Sequence, residues 1–142
     1  MKRVRTIVVV DDDEITCFLN KHLVEYMEAS NRVECFSNAQ QAITYLEQGC
    51  AFNMPRSSTV CDLLLLDLEM SVMDGYEFLD QLKKSPHIDK SQLYIVVLSS
   101  LLTEKIQIRL KEHSIQGCYS KPLTQELLEE IIMNLPCDCP EK

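Results

Sequence analysis

Nowhere in this sequence do apolar residues run together for long. The first five residues, Met1-Lys2-Arg3-Val4-Arg5, are basic, but the apolar run that follows stops at Val10, where three aspartates begin. That run is too short for a signal-peptide core or a membrane span. With no targeting segment in view, the expected location is the cytoplasm. Positive charge is also scarce: 14 Lys and Arg stand against 22 Asp and Glu, for a net charge of −8. An acidic chain is repelled by phosphate backbones and by anionic lipid, so neither nucleic acid nor a membrane is an expected partner. There is no internal repeat and no low-complexity tract.

The cysteines lack any regular spacing. There are seven, an odd number, and most sit in apolar segments, with the Cys137/Cys139 pair in the tail as the exception. This suits reduced thiols packed as small core residues better than a disulfide framework. Cys137-Asp138-Cys139 has no second Cys or His pair that would complete a four-ligand metal site. His22, His87 and His113 have no acidic or thiol partner at metal-ligand spacing. His22 lies on an apolar helical stripe and reads as a partly buried structural residue.

What is present is ordinary globular composition: 142 residues, 46% hydrophobic and 25% charged. That length can bury one proper core, and the expected organisation is one domain over residues 1–135 with a short tail, 136–142. Thr6 to Val10 is a β-branched apolar run that reads as a buried strand. Asp13 then caps a helix whose apolar stripe is Ile15, Phe18, Leu19, Leu23, Tyr26 and Met27. Arg32 to Phe36 alternates as a second strand. Ser37 or Asn38 caps a second helix, with Ala39, Ala42, Ile43 and Leu46 inward and Gly49 at its end. A long loop, Cys50 to Cys61, leads to a third strand, Leu63 to Leu66, which ends in Asp67. A helix starts near Asp74-Gly75 and stops at Ser85-Pro86. Leu93 to Leu98 is a fourth strand, and Thr103 caps a helix with Ile106 and Leu110 inward. Gln116 to Tyr119 is a short fifth strand. Thr124 caps a last helix bearing Leu127, Leu128, Ile131, Ile132 and Leu135.

Strand then helix, five times over, indicates a parallel sheet covered on both faces. The expected fold is α/β: a flavodoxin-like, doubly wound, five-stranded parallel sheet in strand order 2-1-3-4-5. In such sheets ligands bind beyond the carboxyl ends of the strands, at the switch point. Asp11, Asp12 and Asp13 follow the first strand, Asp67 the third, Ser99 and Ser100 the fourth, and Lys121 the fifth. Asp13 reads as a helix cap and Ser100 as a cap or turn residue. Asp11, Asp12 and Asp67 would repel one another strongly without a counter-ion. Mg²⁺ suits such a half-shell, with the main-chain carbonyl of Glu69 as a further oxygen. A carboxylate can accept a phosphoryl group once the incoming negative charge is neutralised. Lys121 would pair with one phosphoryl oxygen, and the Ser99 hydroxyl would donate to another.

Four segments carry a resemblance. Val8-Val9-Val10-Asp11-Asp12-Asp13 resembles the first strand and acidic pair of response regulator receiver domains. Asp62 to Asp67 with Leu68-Glu69-Met70-Ser71-Val72-Met73-Asp74-Gly75 resembles their phosphoacceptor strand and the methionine-containing loop after it. Ile95-Val96-Val97-Leu98-Ser99-Ser100 resembles the strand with the switch hydroxyl, and Ser120-Lys121-Pro122-Leu123 the lysine-proline motif. In order and at strand ends, the four together are specific, and they span nearly the whole chain. The resemblance implies phosphorylation at Asp67 and Mg²⁺ held by Asp11, Asp12, Asp67 and the Glu69 carbonyl. It implies switch and phosphate-pairing roles for Ser99 and Lys121. The donor would be a histidine kinase or a histidine phosphotransfer protein, and the output an unnamed downstream protein met by a monomer or a phosphorylation-dependent dimer. The protein would not be an enzyme beyond assisting its own phosphorylation and dephosphorylation.

The sequence departs from the family pattern in two places. Ser71 stands where many receivers have proline. Cys118 stands at the aromatic switch position, and Tyr119, its neighbour, faces the other side of the strand. A receiver-like scaffold that does not switch is therefore one alternative. An aspartate-based phosphohydrolase is another, although Glu69 stands where that chemistry uses an aspartate and no cap domain is evident. A flavin carrier shares the sheet order, but the three aspartates after the first strand would repel the flavin phosphate.

Overall fold

The computed structural model describes residues 4–48, 61–88, 90–91 and 93–136. The elements are β1 (Val4–Val10), α1 (Glu14–Met27), β2 (Ser30–Phe36), α2 (Ala39–Gln48), β3 (Asp62–Asp67), α3 (Gly75–Lys84), β4 (Leu93–Ser99), α4 (Glu104–Leu110), β5 (Gly117–Ser120) and α5 (Gln125–Met133). The strands form one sheet in the order β2-β1-β3-β4-β5. Every pairing is parallel. Gly49, the loop residues 50–60 and the Cys137/Cys139 tail lie outside the described residues.

Alternation along the strands builds two cores. Ile7 and Val9, Leu63 and Leu65, and Val96 and Leu98 face one side, where Val24 of α1 and Leu128, Ile131 and Ile132 of α5 meet them. Val8 and Val10, Leu64 and Leu66, and Ile95 and Val97 face the other, under Ile43, Phe78 and Leu110 of α2, α3 and α4. Every residue of β1 and β3 is buried. That is why these two strands read as unbroken apolar runs rather than as alternating ones. Each buried Leu, Ile or Val contributes roughly 1.5–3 kcal/mol.

Helix starts follow the expected caps. Asp13, Asp74, Thr103 and Thr124 each accept a backbone N–H from the first turn of their helix. Asn38 rather than Ser37 does so for α2, accepting from the Gln41 N–H. Strand β5 begins one residue later than expected, at Gly117.

Three expectations fail. The first concerns α1, whose buried residues are Cys17, Asn20 and Val24. Of the expected stripe, Leu23 and Met27 pack against the core, whereas Ile15, Phe18, Leu19 and Tyr26 are exposed. Smaller side chains at 17 and 20 suit the face that lies against the sheet, so these four bulkier ones turn outward. The second concerns His22, which rides on that outer face, exposed, with its ring stacked on Phe18. The third concerns the thiols. Cys17 and Cys35 are joined in a disulfide between α1 and β2, with Cα atoms 6.0 Å apart. Cys61 is also disulfide-bonded. Packing of α1 onto the edge of the sheet at β2 brings together two cysteines 18 residues apart, a proximity that spacing alone does not reveal. Among the described residues only Cys118 is a free thiol, and burial raises its pKa.

Arg5 and Asp62 form a buried ion pair at the amino end of β1 and β3. The guanidinium donates to both carboxylate oxygens, at 2.9 Å from Nε and 2.5 Å from Nη2. Arg5 read from sequence as part of a basic terminus, so its burial is a finding of the structure.

Candidate functional site

The parallel register sets Val10 beside Leu66, Asp67 beside Leu98 and Ser99 beside Ser120, so the residues following β1, β3, β4 and β5 share one edge of the sheet. Asp11 and Asp67 are each 3% exposed there, while Asp12 is exposed. Their carboxylate oxygens lie within 4.8 Å of one another. An all-oxygen donor set at that separation fits a hard divalent cation.

Lys121 reaches this cluster from the end of β5. Its Nζ donates to Asp11 Oδ2 at 3.0 Å and pairs with Asp67 Oδ1 at 2.8 Å. Its backbone N–H donates to the Ser99 carbonyl at 2.8 Å, which fixes the start of the side chain. Burial alone would depress the Lys121 pKa, but its bonds to Asp67 and Asp11 outweigh that and hold it above the ordinary lysine value. Asp67 moves the other way from most ion-paired acids. Burial is the largest influence and raises its pKa to about 6; the Lys121 hydrogen bond opposes this, and the Asp11 charge reinforces it.

The neighbouring loops hold the acids in place. Asp11 Oδ1 accepts the Asp13 N–H at 2.9 Å, and Asp67 Oδ1 accepts the Glu69 N–H at 3.2 Å. Asp12 Oδ2 accepts both the N–H and the hydroxyl of Ser71, at 2.9 and 3.0 Å. A proline at position 71 would supply neither donor, so the departure at Ser71 ties the two acidic loops together. Gly75 packs under the β3 loop: a Cβ there would lie 2.8 Å from Leu68 Cα and 3.2 Å from the Asp67 carbonyl. A side chain would push the Asp67 loop outward.

Ser99 is fully buried at the end of β4. Its hydroxyl donates to Glu69 Oε2 at 2.7 Å, and the Ser100 N–H donates to Glu69 Oε1 at 2.8 Å. Asp67 is not among the hydrogen-bond partners of Ser99. The sequence assigned Glu69 a main-chain part only; nothing in a single glutamate two residues after an aspartate signals that its side chain bridges to the next strand. Ser100, read as a cap or turn residue, supplies one of the two donors. Cys118 and Tyr119 behave as the strand alternation requires. Cys118 packs with the α2–α3–α4 core and Tyr119 with the α1–α5 core.

Comparison with known proteins agrees with this fold. The model of the response regulator receiver domain matches residues 7–133. The probable methanogenesis regulatory protein FilR2 of Methanothrix harundinacea is 26% identical over 128 residues, covering 89% of this chain and 77% of that protein. A protein-glutamate methylesterase/protein-glutamine glutaminase of Rhodospirillum rubrum is 28% identical over 121 residues, 83% of this chain but only 27% of that enzyme. A two-component response regulator from Cytophaga hutchinsonii superposes with a TM-score of 0.78, at 22% identity, over 93% of this chain and 96% of that one. At that identity the superposition speaks for the fold alone. The fold thus gathers three acids and a lysine at the switch point of a doubly wound parallel sheet. The chain belongs to the response regulator receiver domain family.

Proposed function

We propose that the protein is a response regulator that accepts a phosphoryl group on Asp67, in a Mg²⁺-dependent reaction, from a phosphohistidine on a histidine kinase or a phosphotransfer protein. The observation that carries this reading is Lys121, whose single ammonium bridges Asp11 and Asp67. Asp11, Asp12, Asp67 and the Glu69 carbonyl would hold the Mg²⁺, which when bound supplies positive charge against the incoming phosphate. Asp67 Oδ forms the new bond to phosphorus as the donor P–N bond breaks. The bonding pair returns to the imidazole nitrogen. Lys121 pairs with a phosphoryl oxygen, leaving Asp67 for it, and Ser99 donates to another. No general base is needed, because an ionised carboxylate has no proton to lose.

The donor must bring its histidine to this edge of the sheet. The outward face of α1, with Ile15, Phe18, Leu19 and Tyr26 exposed, lies beside it. A groove lined by Leu19, His22, Leu23, Lys121 and Pro122 joins that face to the site. Exposed apolar side chains gathered on one helix suit a helical partner. The test of the chemistry is intact-mass spectrometry after incubation with acetyl phosphate, with and without Mg²⁺. Wild type gains a single Mg²⁺-dependent phosphate and Asp67→Asn gains none. An adduct that persists in Asp67→Asn, or no adduct in wild type, overturns the assignment.

A further inference from the structure

Glu69 holds Ser99, the hydroxyl that the proposed phosphoryl group on Asp67 would use, together with the neighbouring Ser100 amide. The Ser99 hydroxyl has one proton, and its shortest contact is to Glu69 Oε2 at 2.7 Å, against 3.0 Å to the Leu101 carbonyl. The Ser100 N–H lies 2.8 Å from Glu69 Oε1. One carboxylate thus spans a hydroxyl and an amide at the end of β4, with one oxygen on each. A phosphoryl group presents the same chemistry: an anion with several oxygens seeking N–H and O–H donors. Meanwhile the Glu69 N–H stays on Asp67 Oδ1. The backbone of Glu69 therefore serves the acceptor while its side chain serves the acceptor's future neighbours.

Resting on the phosphoacceptor reading above, we propose that Glu69 is a built-in anion gate. Its carboxylate occupies Ser99 and Ser100 in the unmodified protein and is exchanged for phosphoryl oxygens when Asp67 is modified. Two features make the exchange feasible. Glu69 is exposed, so its carboxylate can leave into water without stranding a buried charge. Ser99 is fully buried, so its hydroxyl must keep an acceptor when Glu69 leaves, and the Leu101 carbonyl at 3.0 Å holds it until a phosphoryl oxygen arrives. Like charge makes the two mutually exclusive, since a dianion beside a fixed carboxylate is repelled. The gate therefore sets how readily the site accepts an anion, and its release frees the Ser99 hydroxyl and the Ser100 N–H after β4.

The test uses beryllofluoride with Mg²⁺, which bonds to a carboxylate oxygen and copies the tetrahedral phosphoryl group. Affinity is read by ¹⁹F NMR on wild type, Glu69→Ala, Glu69→Gln and Asp67→Asn, and the Ser100 amide is followed in ¹H–¹⁵N spectra. The expected result is binding about 10-fold tighter in Glu69→Ala than in wild type, from removing a competing anion held by charge-assisted hydrogen bonds. Glu69→Gln should fall between them, because the amide still accepts from Ser99 without the charge. In wild type the Ser100 amide should shift on beryllofluoride binding, and in ligand-free Glu69→Ala it should already be displaced. Equal affinities in wild type and Glu69→Ala overturn the gate and leave the phosphoacceptor reading intact. Weaker binding in Glu69→Ala overturns it too, by making the side chain a support rather than a competitor. If no protein with Asp67 binds beryllofluoride, the gate and the phosphoacceptor reading fall together.

Discussion

Asp67 sits between opposing influences. Burial pushes its carboxyl toward the neutral form, Lys121 pulls it toward the charged form, and Asp11 pushes back again. Free of divalent ion, it should ionise with a midpoint near 6, against an ordinary value of 3.8. The sign of the stability effect follows. Between those two values the native protein keeps a proton that the unfolded chain has released. Stability from this group therefore rises as pH falls through the window, and the full penalty is present above pH 6. Carboxyl-carbon NMR of Asp67 checks this: a metal-free midpoint near the ordinary value would mean that Lys121 outweighs burial. At this scale, Asp11, Asp12, Asp67, Ser99 and Lys121 were legible because each closes a strand, and strand ends in a doubly wound sheet are forced to converge. The Ser71–Asp12 and Glu69–Ser99 contacts were not. They join residues 59 and 30 apart across separate loops, and loop conformation is not written in periodicity.

At the scale of elements, the helices α2 to α5 could be read because each has a single apolar stripe below its cap. Helix α1 could not, because it carries apolar residues on both faces. Counting bulk selects Ile15, Phe18 and Leu19, whereas contact with the sheet selects Cys17, Asn20 and Val24. The error is informative, because a helix apolar on its outer face has a second surface to satisfy. Phe18→Asp should leave stability within about 0.5 kcal/mol, as expected of an exposed position. It should slow phosphotransfer from the cognate phosphohistidine donor while leaving phosphate uptake from acetyl phosphate unchanged. Parallel stopped-flow and intact-mass measurements separate the two, and equal slowing with both donors would place Phe18 in the chemistry instead. The disulfide from Cys17 to Cys35 ties this same helix to β2, so α1 is fixed at its inner face and open at its outer one.

Across the whole molecule, the two ends of the sheet treat charge differently. At the amino end Arg5 and Asp62 neutralise each other inside the fold, and removing one partner of such a pair costs about 3–5 kcal/mol. At the carboxyl end the acids outnumber the one lysine, and the surplus is what a divalent ion would balance. The strands also differ in cover. Those bearing the acids, β1 and β3, are central and buried at every residue, whereas β5, which leads to Lys121, is a partly buried edge. Native-state hydrogen exchange should rank their opening free energies accordingly, with the amides of Val8–Val10 and Leu64–Leu66 among the slowest and those of Cys118–Ser120 well faster. A reversed order would contradict the burial pattern. The anionic half of the site is thus anchored in strands buried at every residue, and its cationic half hangs from a partly buried edge. With the exchange order expected above, Lys121 would change its bonds while the carboxylates keep their places.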